Sequence, residues 1–419
     1  MMASVLRGLS ALGLTLVIGG ASSLTLGCRD ESGSCESLQH GLATCGLPAR
    51  EIDCSRIDRA DREALADAIH YEGCPTLATD SAGNVDPRVC KLGGWECPGS
   101  PLPEATKGAK VARYPLVFVS GIDGTPTSDW NPRVLASLRD DYGIDVGIVH
   151  VLPWAPIADR AADLSASLET LMRGRGYDKV NLVCYAVAGL DCRYLVSPHG
   201  LYENDRTARA RAVARVASIT TIATPHRGTH VADAALEALG NGDAAAIFAA
   251  ISGTGDVPAS LDHGALATTL QGLTPTALNA WNERVDDAEG VVYQSIAGVS
   301  RVLGKSRGDD DALAHCVADD GKARFFHHDG TEDALGELLW VTAPFAGATI
   351  GDDGRTVTSP SDGMVSVESA KWGKFLGCVP ADHYDVIGQI GHVTRDVRTG
   401  FDPVDLYRFV SSALAQGGV

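Results

Sequence analysis

A chain of 419 residues, 45% of them hydrophobic and 21% charged, holds enough apolar material for one large domain with a smaller piece beside it. Its formal net charge of -18 excludes nucleic acid, and an anionic membrane surface, as the main partner, because like charges repel over a Debye length. No internal repeat or long low-complexity tract breaks the chain.

One basic residue, Arg7, precedes an almost wholly apolar or small run from Leu9 to Leu26. Its place at the extreme N-terminus, and the small residues before Cys28, read as an export signal over residues 1–28, with an uncleaved anchor as the alternative. Leu24-Thr25-Leu26-Gly27-Cys28 is similar to a bacterial lipobox, in which the cysteine is lipidated after cleavage; Thr25 stands where leucine is usual. Lipidation at Cys28 implies a cell-envelope lipoprotein anchored in a membrane, and an ordinary signal implies a secreted protein. Both are exported. The chain has 11 cysteines, too many for a reducing compartment.

Residues 29–105 carry Cys35, Cys45, Cys54, Cys74, Cys90 and Cys97 among many polar residues, with little to make a core. Three disulfides are expected, in pairings that spacing does not sort; a zinc module is the rival, but no C-x-x-C pair occurs here. Asp61 is placed to cap a helix whose Leu65 and Ile69 share a face and which ends at Gly73. Pro98, Gly99, Pro101 and Pro103 read as a stiff linker.

The domain from residue 106 to 419 alternates strand and helix patterns, which predicts a mostly parallel sheet with helices on both faces, an α/β fold. Strands are expected over 115–122 and 146–152, with a helix over 132–140 between them. Ile157, Ala161, Leu164, Leu168 and Leu171 recur at steps of three and four, predicting a helix over 157–173 closed by Gly174. Val180, Leu182, Val183 and Cys184 then form an apolar strand, and Leu190, Tyr194 and Leu195 fall at helical spacing from Ala188 onward. Further strands are expected over 216–223 and 291–299. Between them, residues 231–287 read as a helical insertion, either a lid or cap over a site or extra helices that only cover the sheet.

A buried strand turning sharply into a helix is the setting of the nucleophile elbow of α/β-hydrolases, where G-x-S-x-G holds a serine on a strained turn. Here the five positions are Cys184, Tyr185, Ala186, Val187 and Ala188, so alanine stands at the nucleophile position. Over roughly residues 113–400 the chain resembles the bacterial triacylglycerol lipases of the Pseudomonas and Burkholderia type. The resemblance is carried by Tyr114-Pro115-Leu116-Val117-Phe118-Val119 with Gly121, and by Val180-Asn181-Leu182-Val183 with Gly189-Leu190 and Arg193-Tyr194. It continues in Ala223-Thr224-Pro225-His226-Arg227-Gly228, Ser361-Asp362-Gly363-Met364-Val365 and His383-Tyr384-Asp385.

The resemblance implies Asp362 as the acid and His383 as the general base of a triad, the carboxylate holding the imidazole in its working tautomer. It implies the main-chain N–H groups of Ile122 and Val187 as oxyanion donors, which do not depend on side-chain identity. It also implies a structural calcium near the histidine loop, with Asp385, the carbonyl of Gln389 and Asp333 as ligands; hard oxygen donors suit that ion. Ala186 replaces serine, Tyr185 replaces a histidine, Cys184 and Ala188 replace glycines, and Ser120 stands where the family has a histidine.

Losing the serine of a triad leaves only residual catalysis, on the order of 10³ to 10⁴ over water. Cys184 reads as a packed thiol or as half of a disulfide with Cys192, and the Tyr185 phenol, with a pKa of about 10, is a poor nucleophile. Cys316 and Cys378 are expected to be joined. The leading expectation is therefore an exported lipase-like protein, a pseudoenzyme that binds a lipid, acyl or protein ligand without hydrolysing it. An active carboxylic-ester hydrolase with an unconventional nucleophile is one alternative. The other is an envelope scaffold whose front piece does the binding.

Overall fold

The computed structural model describes residues 35–44, 52–72, 88–89, 92, 110–122, 129–241, 251, 263–304, 312–319, 333–350, 356–389, 396 and 399–419. Short apolar runs build the six strands β1 (Leu116–Val119), β2 (Val146–Val149), β3 (Val180–Tyr185), β4 (Val216–Ile222), β5 (Val292–Gly298) and β6 (Lys374–Val379). They lie side by side in the order β6-β5-β4-β3-β1-β2, and every neighbouring pair is parallel. A parallel sheet is covered on both faces, so its strands read as apolar runs rather than as alternating patterns.

The period of two still sorts the side chains. Leu116, Phe118, Val183 and Tyr185 join the core on one face, and Val117, Val119, Leu182 and Cys184 join the core on the other. Helices α1 (Pro132–Asp140) and α8 (Pro403–Gln416) cover the first face through Val134, Leu138, Tyr407 and Val410. Helices α2 (Ile157–Arg175) and α3 (Ala188–Val196) cover the second through Leu164, Leu168, Cys192 and Leu195. The start of α1 is set locally: Asn131 accepts from the Arg133 N–H at 2.9 Å and Pro132 takes the first helical position.

Two expected boundaries move. Helix α2 runs past Gly174 and stops at Gly176, whose φ of 71° is the left-handed cap that ends a helix, while its N–H donates to the Met172 carbonyl. Strand β1 is shorter than 115–122 because pairing with its neighbours ceases after Val119. Gly121 and Ile122 then leave the ladder for the loop above the sheet, where the Ile122 carbonyl accepts from the Trp154 N–H at 2.9 Å.

Helix α4 (Arg206–Arg215) leads into β4, after which the insertion supplies α5 (His230–Asn241), α6 (His263–Gly272) and α7 (Pro275–Asn282). Val231, Ala235, Leu266 and Leu270 pack there with Ile122, Val187 and Met364, at the carboxyl ends of the strands. Residues 242–250 and 252–262 of the insertion lie outside the described residues.

The front piece does have a core, contrary to the expectation from its composition. Helices Cys35–Thr44 and Arg59–Glu72 enclose Leu38, Leu42, Ile57, Leu65, Ile69, Val89 and Leu92, and a disulfide joins Cys35 to Cys54. The second helix starts two residues before Asp61, and its capping carboxylate is Asp58, which accepts from the Asp61 N–H at 2.8 Å. Its described end is Glu72, just before the expected stop at Gly73, which lies outside the described residues. Also outside them are residues 1–28, including Cys28, together with Cys45, Cys74, Cys90, Cys97 and the proline linker. No helix among the described residues is long and apolar enough to cross a membrane.

Candidate active site

Strand β3 ends at Tyr185 and α3 begins at Ala188, so the chain reverses within two residues. Ala186 makes the turn with φ at 50°, a left-handed conformation that costs an L-residue on the order of 1–2 kcal/mol. Three features hold it there. The Ala186 N–H donates to Ile222 on β4 at 2.9 Å, and its carbonyl accepts from the Gly189 N–H at 3.1 Å. A disulfide between Cys184 and Cys192 staples β3 to α3 across the turn, with Cα atoms 6.8 Å apart. Gly189 is the third: a Cβ there would overlap Thr224 Oγ1, so only glycine lets α3 close onto the end of β4. The strained strand-to-helix turn expected here is present, with a methyl group as its side chain.

Two loops bring His383 and Asp362 together above the sheet. Gly298, the last residue of β5, passes between them: a Cβ there would lie 2.6 Å from the Ala381 carbonyl and 2.9 Å from Asp362 Cβ. His383 Nδ1 lies 2.8 Å from Asp362 Oδ2, and the His383 N–H donates to the Asp362 carbonyl at 2.9 Å. The other carboxylate oxygen accepts from the N–H groups of Met364 and Val365 at 2.9 and 2.7 Å. An Asp carboxylate so held orients the imidazole by presenting one oxygen only. Tyr185 also serves this loop: its hydroxyl donates to the His383 carbonyl at 2.9 Å, and the two rings are 5.0 Å apart.

His383, Ala186, Val187 and Ile122 face a common cleft of about 550 Å³ counting its open mouth, completed by apolar side chains such as Val231 and Leu270. The four residues named from sequence as base, nucleophile position and oxyanion donors are thus gathered in one place. Asp362 stands directly behind His383.

No substitute nucleophile is poised beside His383 among the described residues. Cys184 is oxidised to its disulfide, the Tyr185 hydroxyl is committed to a carbonyl, and the Thr229 hydroxyl, which lines the cleft, donates to the Met364 carbonyl at 2.6 Å. Ser120 is wholly buried, and its hydroxyl has no hydrogen-bond partner among the described residues.

His226, in the strongest local motif of the sequence, does not face the cleft. It is fully buried, 3.0 Å from the Thr221 hydroxyl and 3.3 Å from Arg193, and burial followed by Arg193 and Arg227 holds it well below the usual histidine range. Arg227 donates to the carbonyls of Glu368 and Lys371, so the motif ties β4 to the loop beyond Asp362.

The carboxylates expected at a metal, Asp333 and Asp385, also converge, with one addition to the set. Single oxygens of Asp333, Asp382 and Asp385 lie within 4.8 Å of one another. Asp382 was not anticipated; it sits beside His383 and accepts from the N–H groups of Tyr384, Asp385 and Gly336 at 2.8, 2.9 and 3.0 Å. Burial, and then the negative charges of Asp382, Asp333 and Asp396, push the Asp385 carboxyl well above its ordinary range. Gln389 follows on the same loop, its N–H bonded to the Tyr384 carbonyl and its side-chain amide to the Asp129 carbonyl at 2.8 Å. Cys316 and Cys378, the latter on β6, are joined as expected.

A further support escaped the sequence reading altogether. Arg160 on α2 is fully buried; its guanidinium donates to Asp191 on α3 at 2.8 Å and to the carbonyls of Leu152 and Gly121 at 2.7 and 2.9 Å. The pair fastens the loop bearing Ile122 to the helix that follows the elbow. Complete burial, only partly offset by Arg160, pushes Asp191 up to about 6.

No protein-family model matches the chain. Over 147 residues it is 29% identical to a triacylglycerol lipase of Burkholderia plantarii, a stretch that is 33% of this chain and 37% of that protein. Over 130 residues it is 29% identical to a triacylglycerol lipase of Pseudarthrobacter phenanthrenivorans, 29% of this chain and 36% of the relative. The chain therefore spans little more than a third of the length of these relatives. The mature form of a Bacillus licheniformis lipase, BlEst2, aligns in three dimensions with a TM-score of 0.44 and 20% identity over 70% of this chain and 91% of its own. By its sheet order, elbow turn and imidazole–carboxylate pair the chain has an α/β-hydrolase fold, and by sequence it is similar to bacterial triacylglycerol lipases.

Proposed function

We propose that this is an exported lipase-like protein that binds a lipid, acyl or protein ligand in its cleft and lacks normal serine-esterase catalysis. One observation carries the reading: the residue on the strained turn is Ala186, whose methyl group cannot attack a carbonyl. The three disulfides among the described residues agree with an oxidising, exported location. Anchoring through a lipid on Cys28 is part of the same proposal. So is calcium at Asp333, Asp382 and Asp385, where a divalent cation would offset the repulsion of crowded carboxylates and tie the histidine loop down.

The intact pairing of His383 with Asp362 favours a second reading, a carboxylic-ester hydrolase in which His383 activates another nucleophile. Turnover of short and long p-nitrophenyl esters separates the two. The wild type is expected to be no faster than His383→Ala, and Ala186→Ser is expected to gain fluorophosphonate labelling together with at least about 100-fold in turnover. Wild-type turnover well above the His383→Ala background would establish the second reading instead.

A further inference from the structure

The polar atoms left over in the cleft specify a ligand more narrowly than "lipid". His383 is 6% exposed and its Nδ1 is engaged by Asp362, so the ring presents Nε2 as its remaining polar atom; that atom has no hydrogen-bond partner among the described residues. The main-chain N–H of Val187 stands at the start of α3, where the first amides of a helix have no partner within it, and it has none elsewhere among the described residues. Both residues line the same cleft, as Ala186 does, with apolar side chains beyond. A serine hydroxyl would give Nε2 a partner supplied by the protein. A methyl group gives it none, so its partner comes from outside the chain.

We infer that the cleft is a receptor for a free carboxylic acid with an apolar tail, in preference to its ester. This rests on the non-hydrolytic reading above. With Nδ1 directed at Asp362, His383 has Nε2 free to share a proton with a ligand oxygen, while the Val187 N–H offers a donor. A carboxylic acid supplies the complement of both: its O–H, or the proton it passes to the ring, meets Nε2, and its second oxygen meets the amide. The head group thereby becomes a charge-assisted bridge between imidazole and helix N-terminus. An ester brings neither a proton nor a negative charge to Nε2. An alcohol can donate to Nε2 but brings no second oxygen to the amide. The tail occupies the apolar part of the cleft near Val231 and Leu270.

The test is calorimetric titration of the full chain with octanoic acid, methyl octanoate and 1-octanol. Octanoic acid is expected to bind about 10- to 100-fold more tightly than the other two, the range of one charge-assisted hydrogen bond. In His383→Phe that preference should vanish while the ester and the alcohol still bind. In Ala186→Ser, a second variant that keeps the imidazole and is titrated with octanoic acid and 1-octanol only, the new hydroxyl competes for Nε2 and the preference for the acid should shrink by at least about 10-fold. Equal affinity for the three compounds, or binding of none, overturns the inference and leaves the non-hydrolytic reading standing. Consumption of methyl octanoate by the wild type above the His383→Ala background overturns that reading itself.

Discussion

Arg160 lies on α2 between Ile157 and Ala161, within a stripe of apolar residues, yet it is as buried as they are. Its guanidinium is satisfied by Asp191 and by carbonyls of the loops after β1 and β2, so two charges are stored where water does not reach. Removing one partner of such a pair leaves the other charge buried and alone, which costs far more than the pair itself contributes. Arg160→Met is therefore expected to destabilise the protein by about 3–5 kcal/mol in urea unfolding, and Arg160→Met/Asp191→Leu to recover most of that loss. A double variant no more stable than the single one would show that the arginine acts through its loop contacts alone. The sequence held a hint, an arginine on an apolar face. Its partner 31 residues away was not readable, because no local periodicity links the two.

Elements were legible where the pattern is local. The helix over 132–140 emerges with the expected ends because Asn131 and Pro132 fix its start, whereas α2 outran Gly174 because φ, not residue type, decides which glycine caps. The two glycines flanking the elbow element separate these roles experimentally. Gly174 is inside α2 with nothing within 4 Å of a Cβ, so Gly174→Ala should stabilise by about 0.5–1 kcal/mol through helix propensity. Gly189 meets Thr224 at the α3–β4 contact, so Gly189→Ala should destabilise by about 1–3 kcal/mol and open the elbow. Thermal melts of the two variants check both signs; a neutral Gly189→Ala would mean that α3 can slide on β4. Residue patterns alone distinguish the elbow strand and its helix but leave Cys184 as either a packed thiol or a disulfide partner; the clamp with Cys192 follows from both side chains facing the same side of the sheet.

Across the whole molecule, loops distant in sequence close the site. Asp333 and Asp385 are joined at the cluster by Asp382, and the same stretch that carries Asp382 carries His383. A cation held there would couple global stability to the position of the imidazole. Calcium at about 100 times its dissociation constant is expected to stabilise by about 2.7 kcal/mol, and EDTA to reverse this, with Asp382→Asn losing the response. A melting temperature indifferent to both calcium and EDTA would remove the ion from the proposal. What the sequence by itself determined was the parallel α/β arrangement, the disulfide-bearing front piece and the methyl group at residue 186. Those are properties of local periodicity and of single residue identities, which the chain displays wherever it folds. Tertiary structure alone decided that Asp382 completes the acidic cluster, that Arg160 pairs with Asp191, that Tyr185 braces the histidine loop and that His383 is left with one open nitrogen. Each of these is a contact between segments far apart along the chain, set by how the loops cross above the sheet, and no spacing within either segment encodes it.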